Sequence, residues 1–167
     1  MRKMMLAMLL MCIVALVSTL PISVHATPST TASGTWQYLP SITSTRLAGR
    51  NLFIEATSVD VWTGTIGGEG GSVETVVIHK FVSWFEPTGF WYAEGILTLD
   101  PCTVADKSGT LIIRYVGKGT PEGQWSGRWV ILGGTGDLAY LCGQGTWWGP
   151  DGNGLFPYSG QIRFESD

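Results

Sequence analysis

From residue 34 onward the chain is cut at short intervals by clusters of glycine with Pro, Asp, Asn or Ser. The stretches between the cuts are rich in β-branched and aromatic residues. This punctuation leaves no window with a sustained 3.6-residue apolar period between caps; residues 137–141 alone have room for a helical turn. Strands are expected over residues 35–39, 52–66, 73–85, 90–99, 110–116, 124–132, 143–148 and 158–165. Turns are expected within 46–52 and at 67–71, 86–89, 106–109, 117–123, 133–136 and 150–154. About eight strands at regular spacing make a sandwich or a barrel. Short up-and-down connections favour a closed or nearly closed antiparallel eight-stranded barrel, which leaves no unpaired edge. The fold class is therefore all-β.

Composition sharpens this. All 23 glycines and all eight tryptophans lie beyond residue 26. So many aromatic groups exclude a disordered chain, and glycines without a three-residue period exclude a collagen-like fibre. Residues 27–167 carry eight Lys and Arg against 13 Asp and Glu, a net charge of −5, with no basic run. Nucleic-acid binding and electrostatic membrane anchoring both draw on clustered cations, so neither is expected.

Residues 1–26 have the order of a secretory signal peptide. Arg2 and Lys3 precede an apolar run over 4–20, Pro21 ends it, and Val24-His25-Ala26 offers a cut before Thr27. An uncleaved anchor is the alternative, because this largely apolar run of 17 residues approaches the length of a span. Residues 27–33 read as a flexible polar tether, and residues 34–167 as the barrel domain. Export places the protein outside the cytoplasm, where Cys102 and Cys142 are expected to form a disulfide; two buried thiols are the alternative. Two cysteines and His79 do not supply a clustered four-ligand set, so no metal or other cofactor is expected.

Strand faces are mixed. In residues 73–86 both parities are about half apolar. A bulge that flips parity and a neighbouring subunit covering the outside are both consistent with this, and a homo-oligomer is possible.

The run Gly133-Gly134-Thr135-Gly136-Asp137-Leu138-Ala139-Tyr140-Leu141-Cys142-Gly143-Gln144-Gly145 resembles the GGTG or SGTG segment of the allene oxide cyclase-like and dirigent-like barrels. The order around it is similar too, with Ser108-Gly109-Thr110-Leu111 before it and Tyr158-Ser159-Gly160-Gln161 closing the sheet. It looks most like the bacterial branch of small domains without an established activity. The resemblance implies an eight-stranded barrel whose lumen takes an apolar ligand. Neither family's catalytic nor steering residues map onto this chain. Physically, Gly133, Gly134 and Gly136 suit a tight reversal, and Asp137 suits bonding to backbone N–H groups there. A phosphate cradle would need a following helix and usually a lysine; neither is present.

His79, Glu94, Arg114 and Trp129 are the candidate ligand-binding residues. A histidine in a lumen serves as a general base, and a strand arginine pairs with a carboxylate or anchors a ligand's carboxylate. Arg114 or Arg128 turned outward over aromatic surface is the structural alternative. No Gly-x-Ser-x-Gly elbow is present. Glu55, Asp60, Glu74 and Glu94 are carboxylates such as any acidic β protein has. The tryptophans suit core packing or the lining of a ligand cavity, and adjacent Trp147 and Trp148 must point to opposite faces. Gly34-Thr35-Trp36 with Trp62-Thr63-Gly64-Thr65 is similar to avidin-like barrels, which line a small-ligand site with Trp. Noncatalytic binding of a small apolar ligand in an aromatic lumen is the expected role. An isomerase or cyclase acting on a fatty-acid-like substrate is the alternative, and a carbohydrate-binding module the third.

Overall fold

The structure, a computed structural model, describes residues 28–82 and 89–165. The signal-peptide reading of residues 1–26 and the turn at 86–88 lie outside the described residues. The strands are β1 Thr30–Ala48, β2 Asn51–Gly64, β3 Ile66–Ile78, β4 Trp91–Val104, β5 Lys107–Gly119, β6 Trp125–Gly134, β7 Leu141–Gly149 and β8 Phe156–Phe164. Each pairs antiparallel with its sequence neighbour, and β8 pairs back on β1, from Thr30↔Ile162 to Trp36↔Phe156. One sheet thus closes in a ring, and the expected single helical turn is a 3-10 turn over Gly136–Leu138.

Strand β2 shows the pattern most plainly. Leu52, Ile54, Ala56, Ser58, Asp60 and Trp62 are all buried, whereas Glu55, Thr57 and Val59 between them are exposed. Period-two alternation sends one set into the ring and the other to water. In β4 the parity flips at a bulge: Leu97 and Leu99 are buried, and then Cys102 and Val104. Pro101 sits inside that bulge, where its missing N–H costs no ladder bond.

One end of the ring is packed solid. Trp62, Trp129, Tyr158, Leu97, Leu111 and Ile113 are among its fully buried side chains. The interior glycines make room for these rings. A Cβ at Gly145 would stand 2.6 Å from the Trp129 ring, one at Gly127 2.5 Å from Trp147, and one at Gly95 2.5 Å from Tyr115. A narrow ring cannot carry a large side chain on every inward position, so Trp129, Trp147 and Tyr115 each lie against glycine across the sheet. The abundance of Gly and that of Trp are one packing solution.

Several expectations change. Thr30, Thr31, Ala32 and Ser33 are no tether: they belong to β1, ladder with β8, and Ala32 is fully buried. The glycine-dense stretch 67–71 is strand, not turn, because glycine lets β3 and β4 approach closely; a Cβ at Gly68 would meet Pro101 O at 2.6 Å. The reversal before it is confined to Thr65. In β3 the mixed faces reflect polar residues turned inward. Ser72 and Glu74 point into the ring and are buried, while Val73, between them, is 70% exposed.

The expected disulfide is absent: Cys102 and Cys142 are free thiols. Cys102 is buried inside the ring on β4, while Cys142 alternates with inward Leu141 and so lies outward on β7, with β5 and β6 between the two strands. The sheet wall stands between them. Asp137 is exposed and caps nothing; Thr135 does the polar work of the reversal, its Oγ1 accepting from Thr110 N at 3.2 Å. Gly136 has φ +60°, and a Cβ on Gly134 would meet Leu138 O at 2.7 Å, whereas Gly133 faces open space.

Candidate functional site

The opposite end of the ring is open. A cavity of about 290 Å3 there is lined from all eight strands. Trp36, Tyr38, Trp91, Trp125, Trp147 and Phe156 supply most of its wall. They hold one another edge to face: Trp36 and Trp147 have ring centroids 5.5 Å apart at 82°, Trp91 and Trp125 5.9 Å apart at 71°. Such pairs are favoured by the ring quadrupoles. Trp36, Tyr115 and Trp147 also belong to the packed end, so the floor of the cavity is the roof of the core.

Among the described residues the cavity wall carries one charged side chain, Glu74. It is 4% exposed. Its Oε2 accepts from Tyr115 Oη–H at 2.7 Å, and its Oε1 has no hydrogen-bond partner. A buried chain continues inward. Tyr115 Oη lies 3.0 Å from Ser72 Oγ, which lies 2.6 Å from Ser58 Oγ. Ser58 Oγ–H donates to Asp60 Oδ2, and Trp36 Nε1–H donates to Asp60 Oδ1 at 2.5 Å. Asp60 is fully buried.

Burial raises both carboxyls above their ordinary pKa, against hydrogen bonds from Ser58, Trp36 and Ser72 at Asp60 and from Tyr115 at Glu74. Desolvation disfavours the charged form, and here it outweighs the donors. The same burial, together with the Glu74 charge, pushes the Tyr115 phenol up. Chemically, the site offers an apolar, aromatic enclosure whose lining residues carry one free buried acceptor, Glu74 Oε1, and one free buried donor, Trp91 Nε1–H.

None of the four residues expected from sequence lines this cavity. His79 is exposed just past β3, where its backbone N–H donates to Phe90 O at 3.1 Å. Glu94 and Arg114 do meet, with Nη2 2.5 Å from Oε1, but outside the ring, where their side chains are 43% and 48% exposed. Trp129 is buried in the packed end, over Gly145 and Gly160. Arg128 is exposed, and Trp148 is exposed opposite buried Trp147. A larger concavity of about 650 Å3 crosses the outer face, lined by Arg114, Arg128, Gln144 and Gln161. It holds no buried carboxylate, and its arginines are exposed. Buried apolar surface with few convergent polar groups is the mark of a ligand site, and of these two concavities the interior one fits that better.

Asp60 and Glu74 stood in the sequence as two undistinguished acids. The signal was in β2: Asp60 shares parity with Leu52, Ile54 and Trp62, and a carboxylate on an apolar face is buried or bound.

No family model and no curated protein matches the chain. Among solved structures, that of a protein of unknown function from the DUF3224 family of Shewanella oneidensis MR-1 is similar, with a TM-score of 0.63 at 14% identity over 85% of this chain and 100% of that one. At that identity the likeness shows the fold alone.

Proposed function

We propose that this is a ligand-binding protein: an eight-stranded barrel of the allene oxide cyclase-like kind, exported through residues 1–26, that holds a small apolar molecule without transforming it. The open aromatic end carries the reading. A cavity of about 290 Å3, walled by four tryptophans and closed beneath by a packed core, is space a single ring system fills. A ligand seated there gains dispersion contacts with the surrounding rings.

Titration with the neutral fluorophore N-phenyl-1-naphthylamine tests it. Saturable enhancement at micromolar concentration is expected, and Ala56→Trp, which fills the cavity from β2, should abolish it. Absence of binding, or binding indifferent to Ala56→Trp, overturns the reading. Mass spectrometry of the exported protein should find Thr27 at its N-terminus.

One observation favours a second reading, an isomerase or cyclase acting on an apolar substrate in the same place. Glu74 beside Tyr115, with its pKa raised in an apolar enclosure, has the character of a general acid–base group. Turnover lost in Glu74→Gln would support it.

A further inference from the structure

We propose that the ligand is an apolar ammonium, held by Glu74 within the tryptophan cage, and that Glu74 accepts it by passing its proton along Tyr115, Ser72 and Ser58 to Asp60. The inference rests on the binding reading above and names the chemistry of the ligand.

The first support is the unbalanced charge. Glu74 is 4% exposed with Oε1 unpartnered. Asp60 and Glu74 are the only charged residues buried among the described residues. Every described arginine and lysine is exposed except Lys107, which is half-buried over the Phe164 ring. Among the described residues no arginine or lysine is buried beside these acids. A buried carboxylate without a partner is costly; a ligand cation supplies the partner. The surrounding indoles favour the same charge, because their faces attract cations. A carboxylate ligand would meet Glu74 as a like charge.

The second support is a count of protons. Four contacts link Asp60 to Glu74: Asp60–Ser58, Ser58–Ser72, Ser72–Tyr115 and Tyr115–Glu74. Three hydroxyl protons are available for them, since Ser and Tyr each carry one. With Ser58 donating to Asp60 and Tyr115 donating to Glu74, the single Ser72 proton must serve both of its neighbours. One pair of oxygens would then meet lone pair to lone pair. A fourth proton, on either carboxyl, satisfies every contact. The chain then runs in one of two directions: from Glu74–H through Tyr115, Ser72 and Ser58 to ionised Asp60, or from Asp60–H through the same hydroxyls to ionised Glu74. The two states hold the same atoms and a single negative charge. They interconvert when each hydroxyl passes its proton to the next oxygen. Trp36 Nε1–H donates to Asp60 in both. An ammonium at Glu74 Oε1 selects the second state, so the proton is stored on Asp60 instead of being lost to water. Desolvation raises both acids, which favours the protonated form of whichever carboxyl holds that proton.

The test is calorimetric titration of the protein with three probes of one shape: 2-naphthylmethylammonium, 2-naphthylmethanol and 2-naphthoate. The ammonium should bind about thirtyfold more tightly than the alcohol, from a charge-assisted hydrogen bond and cation–π contact together, and the carboxylate more weakly than either. Repeating the titration in buffers of different ionisation enthalpy should show no net proton release. Glu74→Gln should level the three affinities while still binding the alcohol, which also shows that it folds. Asp60→Asn, whose amide donates to Ser58 as a protonated carboxyl would, should keep the ammonium preference.

Equal binding of ammonium and alcohol by the wild type overturns the inference but leaves the apolar-binding reading standing. Release of one proton on ammonium binding overturns the shared-proton chain. Loss of the ammonium preference in Asp60→Asn overturns that chain too. No binding of any probe overturns this inference and the binding reading together.

Discussion

Gly117→Ala tests the claim that glycine and tryptophan form one packing solution. A Cβ on Gly117 would stand 2.6 Å from Trp147 Cη2 and closer still to Cζ2. Ordinary contact begins about 0.8 Å farther out, so the indole must move. To do so it must press on Trp36 at 5.5 Å and Phe156 at 5.9 Å or shift into the cavity it lines, giving up its packing in the core. Overpacking of a filled interior costs about 1–3 kcal/mol. Replacing a strand glycine returns roughly 0.5–1 kcal/mol of backbone entropy. The balance is a loss of about 1–2 kcal/mol, which for a domain of this size lowers Tm by roughly 3–8 °C. Gly133→Ala is the matched control. A Cβ there meets nothing within 4 Å, so Tm should hold or rise slightly, surface changes being worth about ±0.5 kcal/mol. Trp147→Phe should be destabilising alone, yet recover part of the loss when added to Gly117→Ala. Such coupling is what residues in contact show in a double-mutant cycle. Thermal melts of the four variants decide the matter. An unchanged Tm in Gly117→Ala, or strict additivity with Trp147→Phe, would refute the reasoning.

The buried acids make stability depend on pH in an uncommon sense. A carboxyl whose pKa is higher folded than unfolded contributes fully below its unfolded value and loses that contribution as pH rises through the folded one. Both Asp60 and Glu74 are shifted up. Denaturant midpoints should therefore fall as pH rises from about 4, the ordinary carboxyl range, and Glu74→Gln should flatten part of that slope; a slope unchanged by the substitution would contradict the burial argument. The two thiols should differ sharply towards an exposed-thiol reagent. Burial pushes the Cys102 thiol up to about 11 and the side chain is inaccessible, so native labelling should reach Cys142 and spare Cys102 until the protein unfolds. Tyr158→Phe should cost about 1–3 kcal/mol, read as a drop in Tm, because the hydroxyl accepts from Ile66 N at 3.0 Å and donates to a carbonyl of the same reversal. Arg114→Gln should shift Tm by no more than about 1 kcal/mol allows, since its pair with Glu94 is exposed.

Local chemistry determined the number and kind of elements. β-branched and aromatic stretches bounded by glycine and proline can become little but strands, and eight strands duly form. The alternation from Leu52 to Trp62 is a pattern carried wholly by neighbours in sequence, which is why it identifies the inward face of β2 without knowledge of the rest. Residues 1–26 are read on the same local grounds.

What a side chain faces was decided elsewhere. In β3 the inward positions hold Ser72 and Glu74 while Val73 is outside, an inversion of ordinary patterning. It is stable only because Tyr115 from β5 and Ser58 from β2 arrive to bond them. Those partners are separated by 14 to 41 residues, and no periodicity in β3 records them. Cys102 and Cys142 looked paired because an even count says nothing of faces; a bulge after Leu99 turns one inward, and β7 turns the other out. Thr30 to Ser33 looked like a tether because polar residues bury nothing alone, yet closing the ring against β8 gives their backbone a ladder. Sequence therefore determined that this chain is a set of glycine-punctuated strands. The closed ring decided which residues share its interior, because only the register between distant strands brings Glu74, Asp60 and the tryptophans into one enclosure.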